Sequence, residues 1–547
     1  MGNLSQIRRT EMVEYLNHLK EIHSDDESRI ALEKIETALT EKKYGLVWEE
    51  HEEEVDKQLV HNIPVFREIE DKKIVGDDTS DFNFILEGDN LHSLKLLEKT
   101  HKGKVDVIYI DPPYNTGNND FIYDDNYIGS DDGYRHSKWL SFMNERLVIA
   151  QNLLSDAGVI FISIDNNELA QLKLLCDEIF DENNFIQIFK WNKTSTPPSL
   201  SLKTREKYEY VLCYEKNRTD IKFNGGFTEG GDVPLLNSGN SVRKLNFKRE
   251  DVNFQISGNY KAGKYGKIEL LNEIKIKKGK SDRDFSMIGE FKWSQERVDE
   301  EVINGTFFLI KSEQFSIRFQ RKDKKIKSPS DILTKVENGV DTNEKARKEL
   351  NKLVPNNMMS YPKPTSLINY LIKFNENNRS NEVILDFFAG SGTTGQAVMQ
   401  LNKEDGGNRK YILCTNNENN ICEKITYQRM ENIQEELPHN LKYYKTEFIP
   451  KLSEDEEILS SQLLDYIKEM VELENMCEID GNSRRIILSD EDLNIALSEM
   501  EKSGVLYIPS FILLTNEIKD SIEERKLEVV TIPDYYFTEE LREVNEL

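Results

Sequence analysis

From Phe82 onward, short apolar runs alternate with stretches whose apolar residues recur at helical spacing. FNFIL, VDVIYI and GVIFISI are the runs, and 91–99, 139–154 and 168–180 are the amphipathic stretches. Strands separated by helices of that length predict an α/β fold with a parallel sheet. FIQIFKW and YEYVLCYE follow and predict a closing antiparallel pair. Between 216 and 350 the rhythm stops, and Gly, Asn and Lys accumulate in clusters such as KAGKYGK and KIKKGK. It resumes at Pro364 with a helix, the strand EVILDFF, a helix over 393–402, the strand KYILC and a helix over 421–434. One sheet domain is therefore expected to be interrupted by an inserted module and completed after it. Residues 5–43 read as helices around the acidic linker HSDDES, and 49–57 as a charged helical face. After about 450, a helix over 459–472 and the strand-like runs VLYI, FILL and LEVVTI predict a small acidic α/β domain.

Composition narrows this picture. The 547 residues suffice for several domains, and 25 Phe with 22 Tyr oppose global disorder although 31% of residues are charged. Five cysteines stand far apart with no CxxC, which predicts reduced, buried thiols and no zinc site. MGNLSQIRRT has no apolar h-region, and apolar stretches such as 158–164 are far short of the ~20 residues of a spanning helix. A cytoplasmic protein is expected.

A net charge of −27 argues against a nucleic-acid partner when taken globally. Its distribution reverses that argument. Residues 1–60 carry 15 acidic and 8 basic side chains, and 451–547 carry 25 and 9, whereas 241–330 carry 21 Lys and Arg against 13 Asp and Glu. Phe247, Phe254, Tyr260, Tyr265, Phe291, Trp293, Phe315 and Phe319 are interleaved there. Basic residues with stacking-capable rings are what a polyanion-binding module needs, although a solvated lysine-rich surface over an ordinary core has the same composition.

Two motifs carry chemistry. VDVIYI ends in Asp111-Pro112-Pro113-Tyr114, at the carboxyl end of a strand, where open α/β sheets bind ligands. Consecutive prolines leave the Pro112 carbonyl as a rigid acceptor beside a carboxylate, a pair able to hold both protons of an exocyclic amino group. Tyr114 adds a flat surface on which a base can stack. The second motif is VILDFFAGSGTT, in which Asp386 ends a strand and Gly390 and Gly392 open a helix. Glycines there admit a ligand close to the backbone and to the free N–H groups of the helix. GxGxxG spacing and a Walker lysine are both absent, which disfavours a phosphate cradle.

Together, DPPYNTGN at 111–118 and DFFAGSGTT at 386–394 resemble the motif pair of amino-group DNA methyltransferases that use S-adenosyl-L-methionine (SAM), in the order of the permuted β group. FILEGDNLHSL, SKWLSFMNERL, GVIFISIDNNELAQLKLLCDEIF and KYEYVLCYEKN are similar to the modification (Mod) subunits of type III restriction-modification systems. The resemblance implies a Rossmann-like SAM-dependent methyltransferase core with circularly permuted motif order. Its parts are an N-terminal acidic region (1–60), a catalytic half (61–215), an inserted target-recognition domain (216–355), a cofactor half (356–450) and an acidic C-terminal domain (451–547).

The resemblance further implies that Asp111 and the Pro112 carbonyl hold the adenine N6 amino group, with Pro113 stiffening the turn and Tyr114 stacked on the flipped base. Asp386 is implied to bind the cofactor's amino group, with Phe388, Gly390, Gly392 and Thr393 lining the turn and Asp89 and Asn90 against the adenosine. KYILC is followed by Thr415-Asn416-Asn417, where many methyltransferases place an acidic residue on the ribose. Asn416, Asn417 or Glu418 are the candidates for that contact. Asn115, Phe121 and Tyr123 are further candidates for the target base. The aspartates at 124–125 and 131–132 lack cation-loop spacing and read as a solvated loop, and Ser137 reads as a helix N-cap. Double-stranded DNA, a second copy of the chain and a type III restriction (Res) helicase-nuclease subunit are the implied partners. A solitary methyltransferase, acting on adenine N6 or cytosine N4, and a non-catalytic DNA-specificity scaffold are the alternatives.

Overall fold

The alternating runs and amphipathic stretches are realised as a ten-stranded mixed sheet. A computed structural model describes residues 12–13, 15–20, 22, 28, 30–32, 34–35, 48–49, 51–76, 81–117, 121–123, 126–129, 131–197, 203–228, 233–321, 325–375, 381–451, 459–500, 502–509, 512–532 and 536. The chain divides into two units. Met1–Thr219, Ile332–Asn369 and Ser380–Leu547 form the first, and Asp220–Asp331 with Tyr370–Arg379 form the second.

The sheet belongs to the first unit. Its strands are β1 (Asn62–Glu68), β2 (Asn83–Glu87), β3 (Val105–Ile110), β4 (Leu154–Ile164), β5 (Phe185–Asn192), β6 (Tyr208–Glu215), β7 (Ile332–Leu333), β8 (Val383–Asp386), β9 (Lys410–Thr415) and β10 (Leu441–Pro450). They lie in the order β1-β10-β2-β9-β8-β3-β4-β6-β5-β7. The strands from β10 through β4 are parallel, and β6 runs antiparallel between β4 and β5. Helices α1 (Asn90–His101), α2 (Arg135–Leu153), α3 (Leu169–Phe180) and α4 (Thr393–Asp405) follow β2, β3, β4 and β8. All of β2 and the GVIFISI part of β4 are buried, as continuous apolar strands are when both faces of a sheet are covered. Phe84, Ile108, Trp139, Leu147 and Ile162 form the centre of the core.

Strands β3 and β8 are neighbours, with Ile384 opposite Val107 and Leu385 opposite Ile108. From β8 the sheet continues to β9, and from β3 to β4 on the other side. Their carboxyl ends therefore flank a topological switch point, the place where such sheets open a crevice.

Several expected boundaries move. The main segment of the second unit stops at Asp331, because β7 pairs in parallel with β5 through Ile332–Lys190 and Leu333–Trp191 and draws residues 332–355 back to the first unit. The helix expected over 421–434 is a π-helical turn, Cys422–Tyr427, and a short α-helix, Gln428–Asn432, after the positive-φ residues Asn419 and Asn420. Ser137 is not an N-cap, since α2 already starts at Arg135 behind Tyr134. The charged face at 49–57 becomes helical only from Glu54, and much of 5–43, with 124–125, lies outside the described residues.

In the C-terminal part, Leu459–Leu464 and Ile467–Asn475 are two helices where one was expected. VLYI and LEVVTI are strands of a three-stranded parallel sheet with Arg484–Ile486, whereas 512–514 of FILL form a loop before the helix Asn516–Arg525. Leu506 and Ile508 are buried within the chain itself. Lys442 of β10 is 1% exposed between Glu68 and Glu472, and Tyr444 donates to Glu472 at 2.6 Å, which ties the Ile467–Asn475 helix to the sheet. All five cysteines are free and buried.

The second unit is built from short strands around its own core. Phe247, Phe254, Tyr260, Phe291, Phe315 and Phe319 are buried in it, and Tyr265 and Trp293 pack against it partly buried. This corrects the expected stacking surface: a unit of short strands uses its aromatics for its own packing. The basic residues do lie outside, including Arg243, Lys244, Lys275, Lys277, Lys278 and Lys280. Glu301, 5% exposed, accepts from Arg321, Arg297 and Thr306, which together hold its carboxyl at about 2. A carboxylate whose folded value is depressed stabilises above its unfolded value, and that contribution disappears as pH falls from about 4.5 toward 2. Glu301→Gln is expected to destabilise this unit by about 2 kcal/mol at pH 7, read by urea denaturation, with the difference from wild type vanishing near pH 2.

Candidate active site at the switch point

Asp111 follows β3 and Asp386 ends β8, so neighbouring strands deliver both carboxylates to one edge of the sheet. Pro112 is buried, and the Pro113 carbonyl accepts from the Trp139 indole at 2.7 Å, which anchors the turn to α2. Tyr114 donates its hydroxyl to Asp111 at 2.8 Å and lies 3.2 Å from Glu209 of β6. Lys363 meets both oxygens of Asp111, at 2.8 and 2.7 Å, and Glu209 at 3.5 Å. Burial raises the Asp111 carboxyl, while Lys363 opposes the shift. Burial also raises the Tyr114 phenol, so it stays a hydrogen-bond donor.

Asn115 has a φ of 57° and is fully buried. Its amide donates to Glu168 at 2.6 Å and to the Arg135 carbonyl at 3.2 Å. It is thus a pillar of the turn rather than a base contact. Burial pushes Glu168 up to about 8, and His136 shares the same oxygen at 2.6 Å. Phe121 is 1% exposed and packs edge-on against Phe142 at 5.3 Å, so the core claims it. Of Tyr123 only the backbone, in the strand Ile122–Tyr123, is described, and Asn118 lies outside the described residues.

The Asp386 turn is tightly built. Its carboxylate, 3% exposed, accepts from the Phe388 amide at 3.0 Å and from the Thr394 hydroxyl. These donors are neutral, so burial dominates and pushes it up to about 7. A buried carboxylate with spare acceptor sites and no cationic partner among the described residues is suited to an ammonium group. Gly390 and Gly392 take φ of 49° and 72°, which lets the chain turn into α4. A Cβ at Gly392 would lie 3.2 Å from Thr426. Arg429, 1% exposed, donates to the Ser391 carbonyl at 3.1 Å and to Thr393 at 2.8 Å. Phe388 lies 5.8 Å from Phe142.

Asp89 caps α1 through the Leu91 amide at 2.8 Å. Asn90 donates to the Phe387 carbonyl at 2.8 Å, which connects the β2 and β8 turns. Both are held by the fully buried Arg146, which also pairs with Glu53 at 2.7 Å and lies over Phe142. Asn417 turns toward Glu87 at 3.4 Å, and Asn416 and Glu418 are exposed. Glu209 and Arg146 lie within stretches that carry the resemblance but have no role read from them, Lys363 and Arg429 lie outside those stretches, and only the fold brings the four to the site.

A family model for DNA methylases matches residues 105–428. The type II methyltransferase M.KpnI of Klebsiella pneumoniae is 30% identical over 408 residues, 68% of this chain and 92% of that protein. The chain belongs to the DNA methylase family. The Mod subunit of the type III restriction-modification enzyme StyLTI from Salmonella typhimurium is 32% identical over 396 residues, 66% of this chain. The EcoPI Mod subunit of Escherichia phage P1 is 32% identical over 381 residues, 60% of this chain. The chain spans 57% of the length of each of these Mod subunits. The family match takes in both Asp111 and Asp386 and runs through the whole second unit.

Proposed function

We propose that the chain is a DNA methyltransferase that moves a methyl group from SAM to the N6 amino group of a flipped adenine, as the modification and specificity subunit of a type III system. The observation that carries this reading is the meeting of Asp111-Pro-Pro-Tyr114 and the Asp386 turn at neighbouring strand ends. Asp386 would bind the cofactor's ammonium group, with Phe388, Gly390, Gly392 and Thr393 along the turn and Asp89 and Asn90 beside it. The uncompensated charge of Asp386 fits that cation. Asn416 and Asn417 remain the proposed ribose contacts. When bound, the cofactor supplies an electrophilic methyl group.

Asp111 and the Pro112 carbonyl would accept the two amino protons. This favours a pyramidal nitrogen whose lone pair is less committed to the ring, and so a better nucleophile. The Asp111 carboxylate can then take the proton that the methylated nitrogen must lose. Tyr114 would cover the base and exclude water. Incubation of the purified protein with labelled SAM and duplex DNA, followed by nucleoside chromatography, tests the reading. N6-methyladenine is the expected product, and label only in N4-methylcytosine would reassign the base.

The second unit, with its exposed Lys and Arg, is the proposed sequence reader. Exchanging 220–331 for the segment of a related enzyme should change the methylated motif and leave the modified base the same. A folded chimera that keeps the original motif would remove this assignment. The acidic segment 451–547 is the proposed site of dimerisation or Res docking, and acting on cellular DNA places the protein in the cytoplasm. Among the described residues, no helix is long and apolar enough to cross a membrane. A solitary methyltransferase is the second reading, supported by the similarity over 92% of M.KpnI, a type II methyltransferase that is not named as a Mod subunit. Capture of a Res subunit by the purified protein would decide for the first.

A further inference from the structure

Lys363 is 7% exposed and sits between the buried Pro362 and Pro364, which fix the main chain on either side. Its carbonyl accepts from the Thr393 hydroxyl at 3.2 Å, and Thr393 is held in turn by Arg429 at 2.8 Å. The backbone of Lys363 is therefore fastened to the Asp386 turn, while its ammonium group reaches the other motif. There it donates to both Asp111 oxygens, at 2.8 and 2.7 Å. Those oxygens are the acceptors that an incoming amino group needs, and an ammonium is a nitrogen donor of the same reach. Lys363 and Tyr114 together take three of the roughly four acceptor positions of the Asp111 carboxylate, so the amino group of a base competes with Nζ of Lys363 for it.

A second anion is already in place. Oε2 of Glu209 lies 3.5 Å from the Lys363 nitrogen and 3.2 Å from the Tyr114 hydroxyl, and its other oxygen pairs with Lys193 at 3.2 Å. Two carboxylates and two ammonium groups thus lie together. Lys363 can leave Asp111 for Glu209 without becoming an unpaired buried charge, which would be costly.

We propose that Lys363 is the positioning residue of the target-base pocket: its ammonium holds the place of the base's amino group on Asp111 while the pocket is empty, and passes to Glu209 when the base enters. The proposal rests on the methyltransferase reading above. It assigns Lys363 two effects. Asp111 stays paired without a base, and it keeps a nearby cation that favours its ionised, accepting form when the base is in place.

Among the described residues, the groups that face Asp111 are Lys363, Tyr114 and Glu209, with Lys193 beside Glu209, and Tyr109 of β3 and Asp386 of β8 further in. Lys363 is the leading influence that lowers the Asp111 carboxyl, against burial and Glu209. Replacing Lys363 by a neutral side chain therefore raises Asp111, and more of it is protonated at a given pH below the plateau.

The test is single-turnover transfer of labelled methyl to duplex DNA at saturating SAM from pH 5.5 to 9, on wild type, Lys363→Met, Lys363→Arg and Glu209→Gln. Circular dichroism and calorimetric SAM binding are measured on each. Lys363→Met should move the acidic limb of the rate profile upward by about one pH unit or more, and Lys363→Arg should return it toward wild type. Glu209→Gln, which removes the landing site, should lower the plateau by about tenfold without moving the limb upward. A Lys363→Met limb that coincides with wild type, or a Glu209→Gln plateau equal to it, overturns the proposal and leaves the methyltransferase reading standing. Should Lys363→Met fail to fold, Lys363→Arg and Glu209→Gln decide: a wild-type plateau in Glu209→Gln overturns the proposal. A wild type that binds SAM and transfers no methyl overturns both.

Discussion

Asp111→Asn is expected to bind SAM normally and to transfer methyl groups to DNA at least about a thousandfold more slowly than wild type, a loss of about 4 kcal/mol of transition-state stabilisation. The asparagine amide keeps one acceptor oxygen but turns an N–H toward the place of the amino group. The charge that Lys363 and Tyr114 hold in place is also lost. Tyr114→Phe should be far milder, since the ring remains and only the hydroxyl bonds to Asp111 and Glu209 go, whereas Tyr114→Ala removes the stacking surface and should approach Asp111→Asn. Rapid-quench measurement with calorimetry on the same samples separates chemistry from binding. An Asp111→Asn enzyme with wild-type turnover would remove Asp111 from the reaction.

Asp386→Asn should weaken SAM binding by about a hundredfold, because a charge-assisted bond in a buried site is replaced by a neutral one. The pH dependence follows from the same burial. Burial pushes the carboxyl up to about 7, so it is mostly ionised at pH 8.5 and mostly protonated at pH 6. A cationic amino group selects the ionised form, and affinity should fall by up to about tenfold per pH unit below 7. Binding at pH 6.5 should release a proton, visible as a calorimetric enthalpy that changes with the buffer's ionisation enthalpy. Asp386→Asn should flatten both dependences. Wild-type affinity independent of pH from 6 to 8.5 would contradict the assignment.

The two motifs were legible because each is local: a strand, then a turn whose residues are adjacent in sequence, so Asp111 and Asp386 could be named with their surroundings. Their proximity was legible only through the resemblance, since a permuted chain separates neighbours β3 and β8 by the whole second unit. Buried charges were not legible. Lys363, Arg146 and Arg429 look like solvated basic residues in a sequence with 72 Lys and Arg, and become site residues only where the sheet brings distant carboxylates and carbonyls to them. The aromatics of 241–330 leave two readings open in the sequence for a related reason. Composition counts rings but does not say which side of a short strand they occupy, and most of these face the unit's own core. Asn115 and Phe121 are candidates for the target base in the sequence, while Glu168 and Phe142 hold them in the interior.

The central claim, methyl transfer to adenine N6 through Asp111, is tested most directly by methylation-aware sequencing of DNA from cells that lack DNA methyltransferases of their own and express either wild type or Asp111→Asn. Wild type should place N6-methyladenine at one short motif throughout the DNA, and Asp111→Asn should leave the same sites unmodified. No modified base with wild type, or the same pattern with both proteins, would contradict it.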